Sequence, residues 1–115
     1  MNNYHVSVLL NEAIEALKIR SGKQYIDATL GGGGHSLEII KRGGRVLGLD
    51  VDQDALDFVS TNCQTEIVSS QLKIAKGNFK DIAKLAKENG FEQVAGVLFD
   101  LGVSSHHFDE GKRGF

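Results

Sequence analysis

Apolar residues recur along this chain in two alternating rhythms. Four short runs, "QYIDA" at 24–28, "RVLGLD" at 45–50, "LKIAK" at 72–76 and "VAGVLFD" at 94–100, are too brief for helices and predict strands. Between them the apolar positions spread out to helical spacing. "HSLEIIKRGG" predicts a short helix stopped by Gly43 and Gly44, with Lys41 and Arg42 in its last turn. "QDALDFVSTNC" predicts a helix burying Ala55, Leu56, Val59 and Cys63, and "KDIAKLAKENG" predicts one ending at Gly90. Ahead of the first strand, Leu10, Ala13, Ile14 and Leu17 share one face of a helix over 7–18, with Ser7 as its N-cap. Residues 101–115, "LGVSSHHFDEGKRGF", read as loop. Strands alternating with helices of this length imply βαβ units, right-handed crossovers and a parallel sheet. The expected fold class is α/β.

Composition narrows the class without naming a function. A chain of 115 residues makes at most one domain. Its net charge of −2 gives no sign of nucleic-acid binding by charge alone. No apolar run approaches the ~20 residues of a membrane span, and the N-terminus lacks a signal-peptide core. The single cysteine, Cys63, rules out an internal disulfide and suits a reducing compartment. A cytoplasmic location without membrane contact is expected, with Cys63 as inert core.

The candidate chemistry lies after the strands. "DATLGGGGHS" at 27–36 places four consecutive glycines between the first strand and the next helix. Glycine loses more backbone freedom on folding than any other residue, so such a turn needs a reason. A dinucleotide fingerprint fails at its third glycine, where Ser36 stands, and a P-loop fails because His35 and Ser36 replace its Lys-Ser/Thr pair. Asp27, Thr29, Gly31 and Gly33 match instead the acidic-x-G-x-G-x-G spacing of S-adenosylmethionine sites, where a carboxylate can answer the ligand's ammonium group. Asp50 ends the second strand, placed to hydrogen-bond ribose hydroxyls. Phe79, in "GNF" after the third strand, is placed to lie against adenine, and Asp100 ends the fourth strand on the same crevice.

Other readings fail on spacing. "DVDQDA" imitates a calcium loop, but Ala55 stands at its glycine and Thr61 at its bidentate glutamate. Ser104, Ser105, His106 and Asp109 crowd into one loop, whereas a hydrolase triad converges from separate elements. His35, His106 and His107 lack the paired spacing of a metal site, and none is expected.

"HVSVLLNEAIEAL", "YIDATLGGGGHS", "GLDVDQDAL", "GNF" and "GVLFDLGVSSHHFDEGKRGF" together resemble the RsmH (MraW) family, over essentially the whole chain. Its members are bacterial enzymes that methylate the exocyclic amine of a cytidine in 16S ribosomal RNA. The resemblance implies a Rossmann-like fold dependent on S-adenosylmethionine, with sheet order 3-2-1-4, and the small ribosomal subunit as partner. It implies cofactor contacts at Gly32, Gly33, Gly34, His35, Asp50, Phe79, Asp100 and His107, with Asp100 the catalytic residue near the reacting methyl. The family usually carries Pro-Gln where this chain has His106-His107, and proline where it has Ser7. Family members also continue far past "RGF", so residues 1–115 read as the N-terminal half of the methyltransferase domain. The alternative is a cofactor-binding fragment without catalysis. With only four strands, "VAGVLF" would lie on an open edge, without charge or proline, and self-association through it is expected.

Overall fold

A computed structural model describes residues 12–99 and, for backbone pairing alone, residues 102–104 and 108–109. Residues 12–17 are helical (α1). There follow β1 (Gln24–Asp27), α2 (Gly34–Lys41), β2 (Arg45–Asp50), α3 (Gln53–Asn62), α4 (Gln64–Val68), β3 (Leu72–Lys76), α5 (Ile82–Glu88) and β4 (Gln93–Phe99). A 3-10 turn, Phe79–Asp81, leads into α5. Strands β1 to β4 are parallel and lie in the order β3-β2-β1-β4. This is the expected α/β sheet.

The two faces of the sheet follow from strand alternation, since successive side chains point to opposite sides. Tyr25, Val46, Leu72 and Leu98 join Ile14 and Leu17 of α1, Ile39 and Ile40 of α2, and Leu56 and Val59 of α3 in one core. Ile26, Leu47, Leu49, Val94 and Val97 join Ile82 and Ala86 of α5, with Phe91, in the other. Burial on both faces explains why these strands read as nearly continuous apolar runs. Arg42 ties α1 to α2, its guanidinium donating to Glu38 at 2.9 Å and to Glu15 at 3.2 Å. The pairing with Glu38 and Glu15 pushes the Arg42 guanidinium further above its ordinary value.

Two expectations need correction here. The segment after β4 is not simply loop: β5 (Gly102–Ser104) and β6 (Phe108–Asp109) both pair antiparallel with β4, Leu98 opposite Val103 and Val94 opposite Phe108. The outer edge of β4 is therefore covered, and the open template for self-association through "VAGVLF" is absent. The chain's own backbone pairs with Gln93, Val94, Val97, Leu98 and Phe99 of that edge, which an edge strand would otherwise offer to a copy. The helix expected over 53–63 also divides at Cys63, beyond which the short α4 continues. Ser7, the expected N-cap, lies outside the described residues.

Candidate functional site

The carboxyl ends of β1 to β4 open into one cleft of about 760 Å³, lined by Thr29, Gly31, Asp50, Asn78, Phe79 and Phe99 among others. Each of the four parallel strands, or the turn following it, supplies at least one of these residues. Ligands in open parallel sheets bind at such strand ends.

The glycine turn is built from within. Leu30, 1% exposed, is its plug. It lies so close over β2 that a Cβ on Gly48 would meet its Cδ1 at 2.5 Å. Gly31 and Gly33 adopt φ of +47° and +90°, the left-handed region that side chains rarely enter. Gly33 also sits against Val59 and Cys63, so the backbone conformation and the packing of α3 account for it.

Gly32 and Gly34 differ. Neither has positive φ. A Cβ on Gly32 would come no nearer than 3.9 Å to Phe58, and one on Gly34 would meet nothing within 4 Å. Nothing in the described protein requires glycine at either position, and both are exposed. The space that a side chain would fill lies outside the protein, at the start of a helix whose N-cap, Gly33, contributes no side-chain hydrogen bond. The first N–H groups of α2 lack a side-chain acceptor and carry the positive end of the helix dipole. His35, half-buried, stands in the first turn of this helix.

The acids take two different roles. Asp27 is fully buried, and its two oxygens accept the N–H of Thr29 at 2.9 Å, the hydroxyl of Thr29 at 2.8 Å and the hydroxyl of Ser36 at 2.7 Å. It fastens the turn to α2 and does not face a ligand, which corrects the expectation of an ammonium partner there. Asp50 is half-buried, accepting the Gly31 N–H at 3.0 Å and the Asp52 N–H at 2.9 Å. A carboxylate offers about four lone-pair sites, so Asp50 retains acceptor capacity on the cleft. Asp52, not Asp50, caps α3, accepting the Asp54 N–H at 2.9 Å.

Phe79 is 51% exposed and lines the cleft, so its ring is not taken up by the core. Asn78 caps its 3-10 turn, and the Phe79 ring stands 5.3 Å from that of Phe99, tilted by 50°. Phe99 was not expected at the site. Its sequence signal is its place next to Asp100 at the end of β4. Of the expected contacts, Asp50 and Phe79 line the cleft, joined by Gly31, while Gly32, Gly33, Gly34 and His35 form the adjoining turn and helix start. Asp100 and His107 lie outside the described residues.

Solved structures place this fold in a class. The C-terminal domain of precorrin-6Y C5,15-methyltransferase from Rhodobacter capsulatus matches with a TM-score of 0.60 and 26% identity, covering 70% of this chain and 42% of that one. An rRNA methylase from Streptococcus thermophilus matches the fold with a TM-score of 0.59 at 16% identity, covering 86% of this chain and 54% of that one. Fold and cleft together are those of the Rossmann-like methyltransferase fold. The sequence is more specific: residues 2–115 match the MraW methylase family, and the chain belongs to it.

Ribosomal RNA small subunit methyltransferase H of Symbiobacterium thermophilum is 44% identical over 115 residues, which cover 97% of this chain and 36% of that protein. Its counterpart in Carboxydothermus hydrogenoformans is 48% identical over 112 residues, covering 96% and 35% respectively. The chain thus spans about a third of the length of these relatives. Among the described residues, no helix is long and apolar enough to cross a membrane.

Proposed function

We propose that this chain forms the cofactor-binding part of a cytoplasmic methyltransferase that uses S-adenosylmethionine to methylate the exocyclic amine of a cytidine in small-subunit ribosomal RNA. One observation carries the cofactor assignment. All four strand ends meet at a single cleft, beside two glycines that the fold itself does not require. S-adenosylmethionine supplies a methyl group already activated by its sulfonium, so the protein's task is chiefly to position it.

The residues divide that task. Gly32 and Gly34 let a ligand lie directly against backbone, and the α2 N-terminus offers N–H donors to its polar end. The remaining lone pairs of Asp50 suit ribose hydroxyls, while Phe79 and Phe99 offer aromatic faces to a flat base. Asp100 and His107 enter through the resemblance: Asp100 would accept an N–H hydrogen bond from the target amine and orient its nitrogen toward the methyl. The cytosine must leave its stack to reach such a cleft.

The alternative reading is cofactor binding without methyl transfer. Calorimetry with S-adenosylmethionine or S-adenosylhomocysteine tests the shared core of both readings. Binding weakened by Asp50→Ala is expected, and equal affinities would sink the assignment. Transfer of labelled methyl to small-subunit ribosomal RNA then separates the two.

A further inference from the structure

A second groove, of about 460 Å³, lies at the opposite end of the sheet, where β1, β2 and β4 begin. Its lining includes Arg20, Lys23, Arg45 and Glu92. The three cations are gathered by backbone geometry. Lys23 donates its N–H to the Arg20 carbonyl at 3.2 Å, closing a tight turn in which Gly22 takes φ of +80°. Arg45 donates its own N–H to the Lys23 carbonyl at 2.9 Å, bringing the third charge alongside.

The wall is ordered. The Arg45 guanidinium lies 5.6 Å from the Phe91 ring centroid, and the Gln24 side chain donates to the Gly90 carbonyl and accepts from the Gln93 N–H, both at 3.3 Å. Among the described residues, both ion pairs use Arg42, and none is made by Arg20, Lys23 or Arg45. Among the described residues, a chain of net charge −2 thus gathers three cations and one carboxylate in this lining. Among the described residues, the lining of the cleft at the other end holds Asp50 and no cation, with the exposed Lys76 and Lys80 beside it on either side of residues 77–79.

We propose that this basic groove binds the phosphodiester backbone of an RNA strand, anchoring the substrate at a point separate from the base that enters the cleft. The strands between the two ends have four to seven residues, at roughly 3.3 Å each. One folded RNA can reach both. RNA as the occupant rests on the proposed function above; the anionic character of the ligand rests on the groove alone.

Fluorescence anisotropy of a short labelled single-stranded RNA, titrated with the chain between 50 and 200 mM salt, tests the proposal. Each phosphate neutralised on a single strand contributes about 0.7 to the slope of log affinity against log salt. Arg20→Gln/Lys23→Gln/Arg45→Gln is expected to weaken binding about tenfold or more and to lower the slope by about 2. Because Arg45 packs on Phe91, Arg20→Gln/Lys23→Gln is the second variant, with an expected loss of about 1.4 in slope. Glu92→Gln is expected to tighten binding.

A control variant, Lys41→Gln/Lys84→Gln/Lys87→Gln, removes the same charge from exposed helix positions. Unchanged RNA affinity in the groove variants, or an equal loss in the control, overturns the proposal. So does a poly-aspartate peptide that competes as well as RNA, since it would assign the groove to an acidic protein. Calorimetry with S-adenosylhomocysteine on the same variants is expected to give unchanged affinity. Absence of that binding in the wild-type chain would count against the proposed function while leaving the groove result readable.

Discussion

The Asp50 carboxylate and the Gly31 amide, 19 residues apart in sequence, are joined by a 3.0 Å hydrogen bond across the mouth of the cleft. The acid at the end of β2 therefore holds the glycine turn as well as facing the space beside it. Asp50→Asn keeps a carbonyl oxygen for the Gly31 N–H but loses the charge, whereas Asp50→Ala loses both.

For Asp50→Asn, binding of S-adenosylhomocysteine should weaken and the unfolding midpoint should fall less than in Asp50→Ala, because the single amide oxygen keeps one of the two N–H partners, Gly31 or Asp52, and its NH2 cannot accept the other. For Asp50→Ala, both should fall. Hydrogen bonds to a charged group contribute about 1.5–3 kcal/mol, which corresponds to roughly ten- to hundredfold in affinity. Calorimetry paired with urea unfolding separates the two roles. Equal affinities for wild type and the asparagine variant would show that the charge does not face the ligand.

The glycines permit a cleaner separation. Gly33→Ala forces a side chain into φ of +90° and should cost about 1–2 kcal/mol of stability. Gly34→Ala enters open space in the first turn of α2 and should be neutral or slightly stabilising, since alanine is favoured over glycine in helices by up to about 1 kcal/mol. It should nevertheless weaken cofactor binding, because the added methyl occupies the approach to the backbone. Stability and affinity moving in opposite directions is the expected signature; unchanged affinity would leave Gly34 without a ligand to explain it.

Much of this was legible in the chain and some was not, for identifiable reasons. β2 falls where its apolar run ends because both faces of the sheet are buried there and no polar alternation blurs its limits. The spacing alone places Asp27 toward the ligand, and the fold turns it away. It follows Ile26, so strand alternation turns it to the α2 side, where the Ser36 hydroxyl meets it. That partner is nine residues away and depends on how α2 returns over the sheet. Phe99 was missed because the last apolar residue of a strand reads as core. α4 buries no residue and has no periodicity to detect. The pairing of β5 depends on a partner strand rather than on any pattern in "GVS".

Burial pushes the Cys63 thiol above its ordinary value, with the nearby Glu66 charge adding to the effect. A thiol whose folded pKa is raised stabilises the fold fully below its unfolded pKa, and this contribution is lost as pH rises. The unfolded chain releases its proton near pH 8.5 while the native one holds it. Stability measured by urea unfolding should therefore decline from about pH 8 upward, and Cys63→Ala should decline less steeply over the same window. At 1% exposure, the thiol should also react with thiol reagents only as fast as the chain opens. Rapid labelling of the native protein would contradict its place in the core.

The covered edge of β4 makes the last prediction. Val97 to Phe99 pair with Gly102–Ser104, and Gln93 and Val94 pair with Phe108 and Asp109, so the chain after β4 occupies the outer hydrogen-bonding groups of that strand. The 115-residue chain should accordingly sediment as a monomer at tens of micromolar. Removing residues 101–115 exposes "VAGVLF", six apolar or glycine residues without charge or proline, to pairing with a copy. The shortened chain should self-associate with a concentration dependence that the longer one lacks. A Val97→Lys change within it should not rescue solubility as well as restoring the segment does, because Val97 is buried in the core beneath α5 and the lysine would damage the fold before it blocked the edge. Sedimentation velocity across a tenfold concentration range decides the matter. A monomeric shortened chain would mean that residues beyond the strand edge, rather than β5 and β6, prevent pairing.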